Sequence, residues 1–122
     1  MKQDVGLIKS FIEAQLNQPF EKVSVIKLVD FLVGYAYLVK ASDIHIEPTK
    51  EGTRLRFRVD GMLKDIFDAK KVSKDLHQEI ISRIKVLAGL RTDEHLAPQD
   101  GRFRVAFEEI EDIDIRVSVI PT

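Results

Sequence analysis

Hydrophobic residues recur every three to four places through about position 40, and then the recurrence shortens to two. Val5, Ile8, Ile12 and Leu16 fall at helical spacing ahead of Gln18-Pro19, which predicts a short amphipathic helix. From about Val23 to Lys40 a second helix is expected, with Val25, Leu28, Val29, Leu32 and Leu38 on one wide stripe and Lys27 and Asp30 left to find its solvent edge. The switch to period two begins at Ser42-Asp-Ile-His-Ile-Glu-Pro48, which reads as a strand. Lys50-Glu51-Gly52 is a turn, and TRLRFRVDG is a second strand with Leu55, Phe57 and Val59 inward and Arg54, Arg56 and Arg58 outward. Asp60-Gly61 suits a tight hairpin, because its backbone twist needs positive φ, and Met62 to Phe67 returns as a third strand. A third helix follows from about Ser73 to Leu87, with Leu76, Ile80, Ile84 and Leu87 on one stripe and Gly89 placed for a C-cap. After the polar connection RTDEHLAPQDG, the runs RFRVAF and IDIRVSV are two more strands joined by the acidic loop EEIED. The order ααβββαββ makes this an α+β fold in which helices cover one face of an antiparallel sheet.

Composition narrows the class without naming a task. The 122 residues suit one domain, or one domain with a short extension, around a single modest core. Nineteen basic residues against twenty acidic leave a net charge of −1, so overall charge gives no push toward nucleic acid or anionic lipid. The absence of cysteine excludes disulfides, a thiolate nucleophile and Cys-ligated metals, and fits a reducing compartment. MKQDVGLIKS places acid and amide residues where the apolar stretch of a signal peptide would begin. The longest apolar run, FLVGYAYLV, is about half the ~20 residues of a bilayer span and reads as a buried helix. VSVIPT stops straight out of a strand-like run, as an excised domain would.

Three groups of residues are candidates for chemistry. Asp43, His45 and Glu47 alternate along one strand and share a face, but same-face neighbours stand ~7 Å apart, too far for adjacent ligands to converge on a metal at ~2 Å without help from other segments. No metal site is expected there, and a polar face that contacts a neighbouring domain is the plainer reading. No glycine begins a GxxxxGK[ST] or GxGxxG phosphate loop and no GxSxG elbow occurs, so the chain alone is not expected to hydrolyse ATP or to act as a free-standing enzyme. The arginines are the third group. Arg54, Arg56 and Arg58 stripe one strand, while Arg102, Arg104 and Arg116 take the outward positions of the last two if Phe103, Val105, Phe107, Ile115 and Val117 face the core. Such a face can pair with carboxylates, bind phosphate through the planar guanidinium, or grip a nucleic-acid backbone. The plain alternative is a solvated face balanced by acids such as Asp112 and Asp114, and without base-stacking aromatics no nucleic-acid partner is expected. In APQDGR, Pro98 and Gly101 are expected to fix a tight turn to which Gln99 and Asp100 can bond, delivering Arg102 at the start of a strand.

ASDIHIEP followed by RLRFRVDG, RIKVLAGL leading into PQDGRFRV, and then DIDIRVSVIPT run in order over about Val25 to Thr122. Together they resemble the domain immediately upstream of the motor domain in type II secretion and type IV pilus assembly ATPases. The resemblance implies a PAS-like second N-terminal domain at residues 21–122, preceded by a helix or linker at 1–20 and followed downstream by a RecA-like ATPase domain. It implies a cytoplasmic homohexamer peripheral to the inner membrane, partnered by its own ATPase domain, neighbouring subunits and an inner-membrane platform protein. ATP and Mg2+ would belong to the full-length protein, with no cofactor held by this chain.

The same resemblance gives Arg102 of PQDGR and Arg116 of DIRVS the role of reaching nucleotide phosphates held by an ATPase domain, as an arginine finger does. It makes Asp43, His45, Glu47, Arg54, Arg56, Arg58 and Arg104 candidate interface residues. The chain departs from the family where a basic pair commonly precedes PQDGR, for here Glu94-His95-Leu96-Ala97-Pro98 stands in its place. The competing reading is a free-standing PAS-like sensor of a small ligand, which would need a pocket with a few convergent polar groups.

Overall fold

The computed structural model describes residues 5–50, 52–67, 72–93, 96–107 and 110–119, and for 105–107 and 110–119 it describes the backbone alone. The described residues form three helices, α1 (Val5–Leu16), α2 (Val25–Leu38) and α3 (Lys74–Ala88), and five strands: β1 (Asp43–Pro48), β2 (Thr53–Val59), β3 (Met62–Phe67), β4 (Gln99–Phe107) and β5 (Ile110–Val119). This is the α+β order ααβββαββ, with one turn of 3-10 helix at Phe20–Lys22 after Pro19. The strands form two antiparallel sheets, a three-stranded one in the order β1-β2-β3 and the hairpin β4-β5.

The helical stripes become the core. Ile8, Ile12 and Leu16 of α1 are buried against α2, where Phe11 stacks on Phe31 with ring centroids 4.2 Å apart. The Gln15 side-chain oxygen accepts from the Ser24 N–H at 3.0 Å and so ties α1 to the first turn of α2. Burial on α2 exceeds its predicted stripe, because Val33, Gly34, Tyr35 and Ala36 are enclosed along with Leu28, Val29 and Leu32. The helix is covered on several sides: by α1, by α3 and β4, and by β2, whose Phe57 meets Tyr35 edge-on at 5.6 Å. Asp30 finds the rim of α3 rather than open water. Burial raises its carboxyl above the ordinary range, and the nearby Arg83 charge offsets part of that rise.

Local sequence explains where the elements stop. Two residues past the end of α2, Lys40 takes a left-handed φ of 61°, and the Ala41 N–H reaches back to the Ala36 carbonyl at 2.8 Å. Asp60 and Gly61, with φ of 52° and 79°, make the β2–β3 hairpin turn that their identities predict. In α3 the Ser73 hydroxyl caps the first turn, accepting from the Leu76 N–H at 3.1 Å. Gly89 (φ 70°) closes its last turn, and the Leu90 N–H bonds to the Lys85 carbonyl at 2.8 Å. In the three-stranded sheet Leu55 and Phe57 are fully buried against the helices, as their alternation predicts, and β2's arginines lie on the other face. No described helix is long and apolar enough to cross a membrane.

Candidate functional site

The outer face of the three-stranded sheet is a charge ladder. The β1–β2 register sets Asp43 opposite Arg58, His45 opposite Arg56 and Glu47 opposite Arg54. Only the first of these direct pairs closes, with Arg58 Nε 3.4 Å from Asp43 Oδ2. The others close diagonally: Arg56 Nη2 meets Glu47 Oε1 at 2.6 Å, and Arg54 Nε meets Asp65 Oδ1 of β3 at 2.9 Å. Strand twist brings diagonal neighbours within reach of long side chains, and the irregularity between Leu55 and Arg56 shifts β3 by a residue. His45 Nδ1 lies 3.7 Å from Glu47 Oε1, and Arg58 also donates to the Gly61 carbonyl at 3.1 Å.

The charges of the ladder pair largely with one another. Its arginines are engaged by carboxylates. The hydrogen bond from Arg56 holds the Glu47 carboxyl below the usual carboxylate range, and that from Arg54 does the same for Asp65. Asp43, His45 and Glu47 do share a face, and both of its carboxylates turn to arginines; among the described residues no three His, Asp or Glu side chains gather as metal ligands would. Asp65, on a strand whose periodicity drew no attention to it, is the member that sequence reasoning missed. Its only sequence signal is its place after the Asp60-Gly61 turn, which folds β3 back beside the arginines.

The second arginine group stands on the β4–β5 hairpin. Arg102 lies opposite Arg116 and Arg104 opposite Asp114 in the register. Arg102 and Arg104 are exposed on either side of the buried Phe103, the alternation expected of this strand. The side chains of Val105, Phe107, Asp112, Ile115, Arg116 and Val117 lie outside the described residues, as do Glu94 and His95 where the family's basic pair would stand.

The connection into β4 differs from its sequence reading. Gln99 and Asp100 are already strand, so Arg102 is the fourth residue of β4 and not its first. The turn lies earlier, and it is held by Gln99. The side-chain Oε1 of Gln99 accepts from the Arg91 N–H at 2.8 Å, and its Nε2 donates to the Arg91 carbonyl at 3.0 Å. One amide thus satisfies both backbone groups of a residue eight positions upstream, just past the end of α3. Gly101 does not supply a turn either. A Cβ on it would stand 2.9 Å from Leu90 Cδ2, 3.0 Å from the Ala88 carbonyl oxygen and 3.1 Å from Ala88 Cβ, so glycine is there because the strand lies directly on the end of α3. Gln99, Gly101 and Phe103, at alternate positions, face inward and leave Asp100, Arg102 and Arg104 outward.

The family model described as type II/IV secretion system protein matches residues 19–122. Among curated proteins, the type IV pilus assembly ATPase TfpB of Acinetobacter baylyi is 38% identical over 98 residues, covering 80% of this chain and 16% of that protein. The type II secretion system protein HxcR of Pseudomonas aeruginosa is 39% identical over 124 residues, covering 100% of the chain and 24% of its own length. The type II secretion system protein E of Xanthomonas campestris is 40% identical over 111 residues, with 91% and 19% covered. The chain therefore spans about a fifth of the length of the curated relatives it matches.

Proposed function

Because the chain belongs to the type II/IV secretion system protein family, we propose that it is the regulatory and oligomerisation domain of a hexameric ATPase powering type II secretion or type IV pilus assembly. In this reading Arg102 and Arg116 contribute to the phosphates of ATP held, with Mg2+, by a RecA-like ATPase domain downstream. Residues 21–122 form the domain, and residues 1–20 lead into it from whatever precedes. Its partners are its own ATPase domain, the neighbouring subunits and, through the assembled machine, an inner-membrane platform protein on the cytoplasmic side.

The observation that carries the reading is the register of the β4–β5 hairpin. Two arginines 14 positions apart in sequence stand directly opposite each other, and the one whose side chain is described points out of the fold. A planar guanidinium on a rigid strand suits phosphate recognition better than one on a loop, because less freedom is lost when its forked hydrogen bonds form. The reading is supported by the ATPase named among the relatives, and a chain without a phosphate loop of its own is consistent with ATP being held by another domain. The ladder residues Asp43, His45, Glu47, Arg54, Arg56 and Arg58, with Arg104, are proposed to meet a neighbouring domain or subunit.

The test is ATP turnover by the full-length protein. Arg102→Ala and Arg116→Ala should each lower kcat by roughly tenfold or more, given that an arginine acting on a transferring phosphoryl group contributes ~1,000-fold in favourable cases. Both variants should keep the parent's thermal unfolding midpoint. Unchanged turnover in both overturns the phosphate role.

A further inference from the structure

The inner face of β4 is fastened at three successive inward positions, each by a different kind of contact. Gln99 brackets the Arg91 backbone through two hydrogen bonds of 2.8 and 3.0 Å. Gly101 rests on Ala88 and Leu90 with no room for a Cβ. Phe103 is 7% exposed and belongs to the core. The first two contacts converge on one structure, the C-terminal end of α3, where Gly89 turns left-handed and the Leu90 N–H returns to Lys85. Since Arg102 lies between Gly101 and Phe103, the height of its Cα over the helix end is set on both sides.

We propose that Gln99 and Gly101 are positioning residues for Arg102. The glutamine amide fixes where β4 begins along the chain, and the glycine fixes how closely the strand sits on α3. Together they give Arg102 one register and one height from which to reach a phosphate. The inference rests on the phosphate role proposed for Arg102, and it adds that the arginine's reach depends on two uncharged residues that touch no nucleotide. The contacts favour positioning over general stabilisation: the amide's two bonds are open to solvent, where they add little burial, yet they tie the first residue of the strand bearing the arginine to the segment just past α3. A displacement of about 1 Å in such a group is enough to lose on the order of a hundredfold in rate.

The experiment is steady-state ATP turnover by the full-length protein carrying Gln99→Ala, Gln99→Glu, Gly101→Ala, Arg102→Ala, or Gln99→Ala with Arg102→Ala. Gln99→Glu keeps an acceptor for the Arg91 N–H and sets a second oxygen against the Arg91 carbonyl, so it tests the donated bond in an almost unchanged volume. Each Gln99 variant and Gly101→Ala should lose roughly tenfold in kcat with KM within about twofold. The double variant should be no slower than Arg102→Ala alone, because a group that acts only through Arg102 has nothing left to lose once Arg102 is gone. Amide hydrogen exchange supplies a reading independent of turnover: in Gln99→Ala it should quicken at the β4 amides and stay unchanged in α2.

If Arg102→Ala is slow while Gln99→Glu and Gly101→Ala turn over normally, the positioning role is wrong and the phosphate role stands. If losses from Gln99→Ala and Arg102→Ala multiply in the double variant, Gln99 acts by some other route and the inference is overturned. If Arg102→Ala turns over normally, the phosphate role falls and the inference falls with it.

Discussion

His77 is half-buried on α3, and its Nδ1 is enclosed with no hydrogen-bond partner among the described residues. Burial disfavours the charged imidazolium and pulls its pKa below the ordinary value of about 6.5. The folded chain therefore binds fewer protons at this site than the unfolded chain does between the depressed value and 6.5. Stability is fully present above 6.5 and is lost as pH falls through that window. Denaturant midpoints measured from pH 7.5 down to 5 should fall for the parent chain, and the His77→Gln variant should show a flatter slope over the same range. An equal slope in both would assign the titration to another group. Nothing in the sequence distinguished His77 from His45 or His95, since a histidine's burial depends on what packs over it and not on its immediate neighbours.

At the scale of elements, helices were legible in the sequence, and the strand entering the hairpin was legible except for its first three residues. A stripe such as Ile8, Ile12 and Leu16 is a local pattern, and those residues are the buried ones. The breadth of burial on α2 was less legible, because Gly34, Tyr35 and Ala36 are enclosed by elements from distant parts of the chain. PQDG carries the residues of a turn, yet Gln99 and Gly101 serve the end of α3 instead. A glycine within a strand marks a close approach of something else, but the sequence does not say of what. Strand alternation put the arginines of β2 on the correct face, while the diagonal pairing of Arg56 with Glu47 and of Arg54 with Asp65 required the twist and the shifted register. The α1–α2 contact offers a direct test of how far the first helix belongs to this fold. Ile12 is 0% exposed, so Ile12→Ala should cost about 2–5 kcal/mol in urea unfolding with no change in m. A loss below about 1 kcal/mol would mean that α1 docks only loosely.

For the whole molecule, two sets of arginines stand on strands that are held in different ways. Those of β2 are locked to carboxylates of β1 and β3, and that face should respond to acid. Glu47 and Asp65 titrate below the usual carboxylate range, so their contribution to stability is present above the unfolded value of about 4 and is lost as pH falls through the lower folded values. Exposed pairs of this kind contribute modestly. In thermal unfolding from pH 6 to 2.5, Glu47→Gln with Asp65→Asn should flatten the acid limb relative to the parent chain; identical limbs would show that the ladder is idle in the folding balance. The hairpin that carries Arg102 is seated differently. An uncharged amide on backbone groups and a glycine against an alanine offer nothing for dissolved ions to shield or for protons to neutralise. Raising the salt thus loosens the ladder's ion pairs while these two contacts stay in place. If Arg102 meets a nucleotide phosphate as proposed, a weakening of nucleotide affinity with salt would then reflect the attraction between guanidinium and phosphate rather than the loss of these two uncharged contacts.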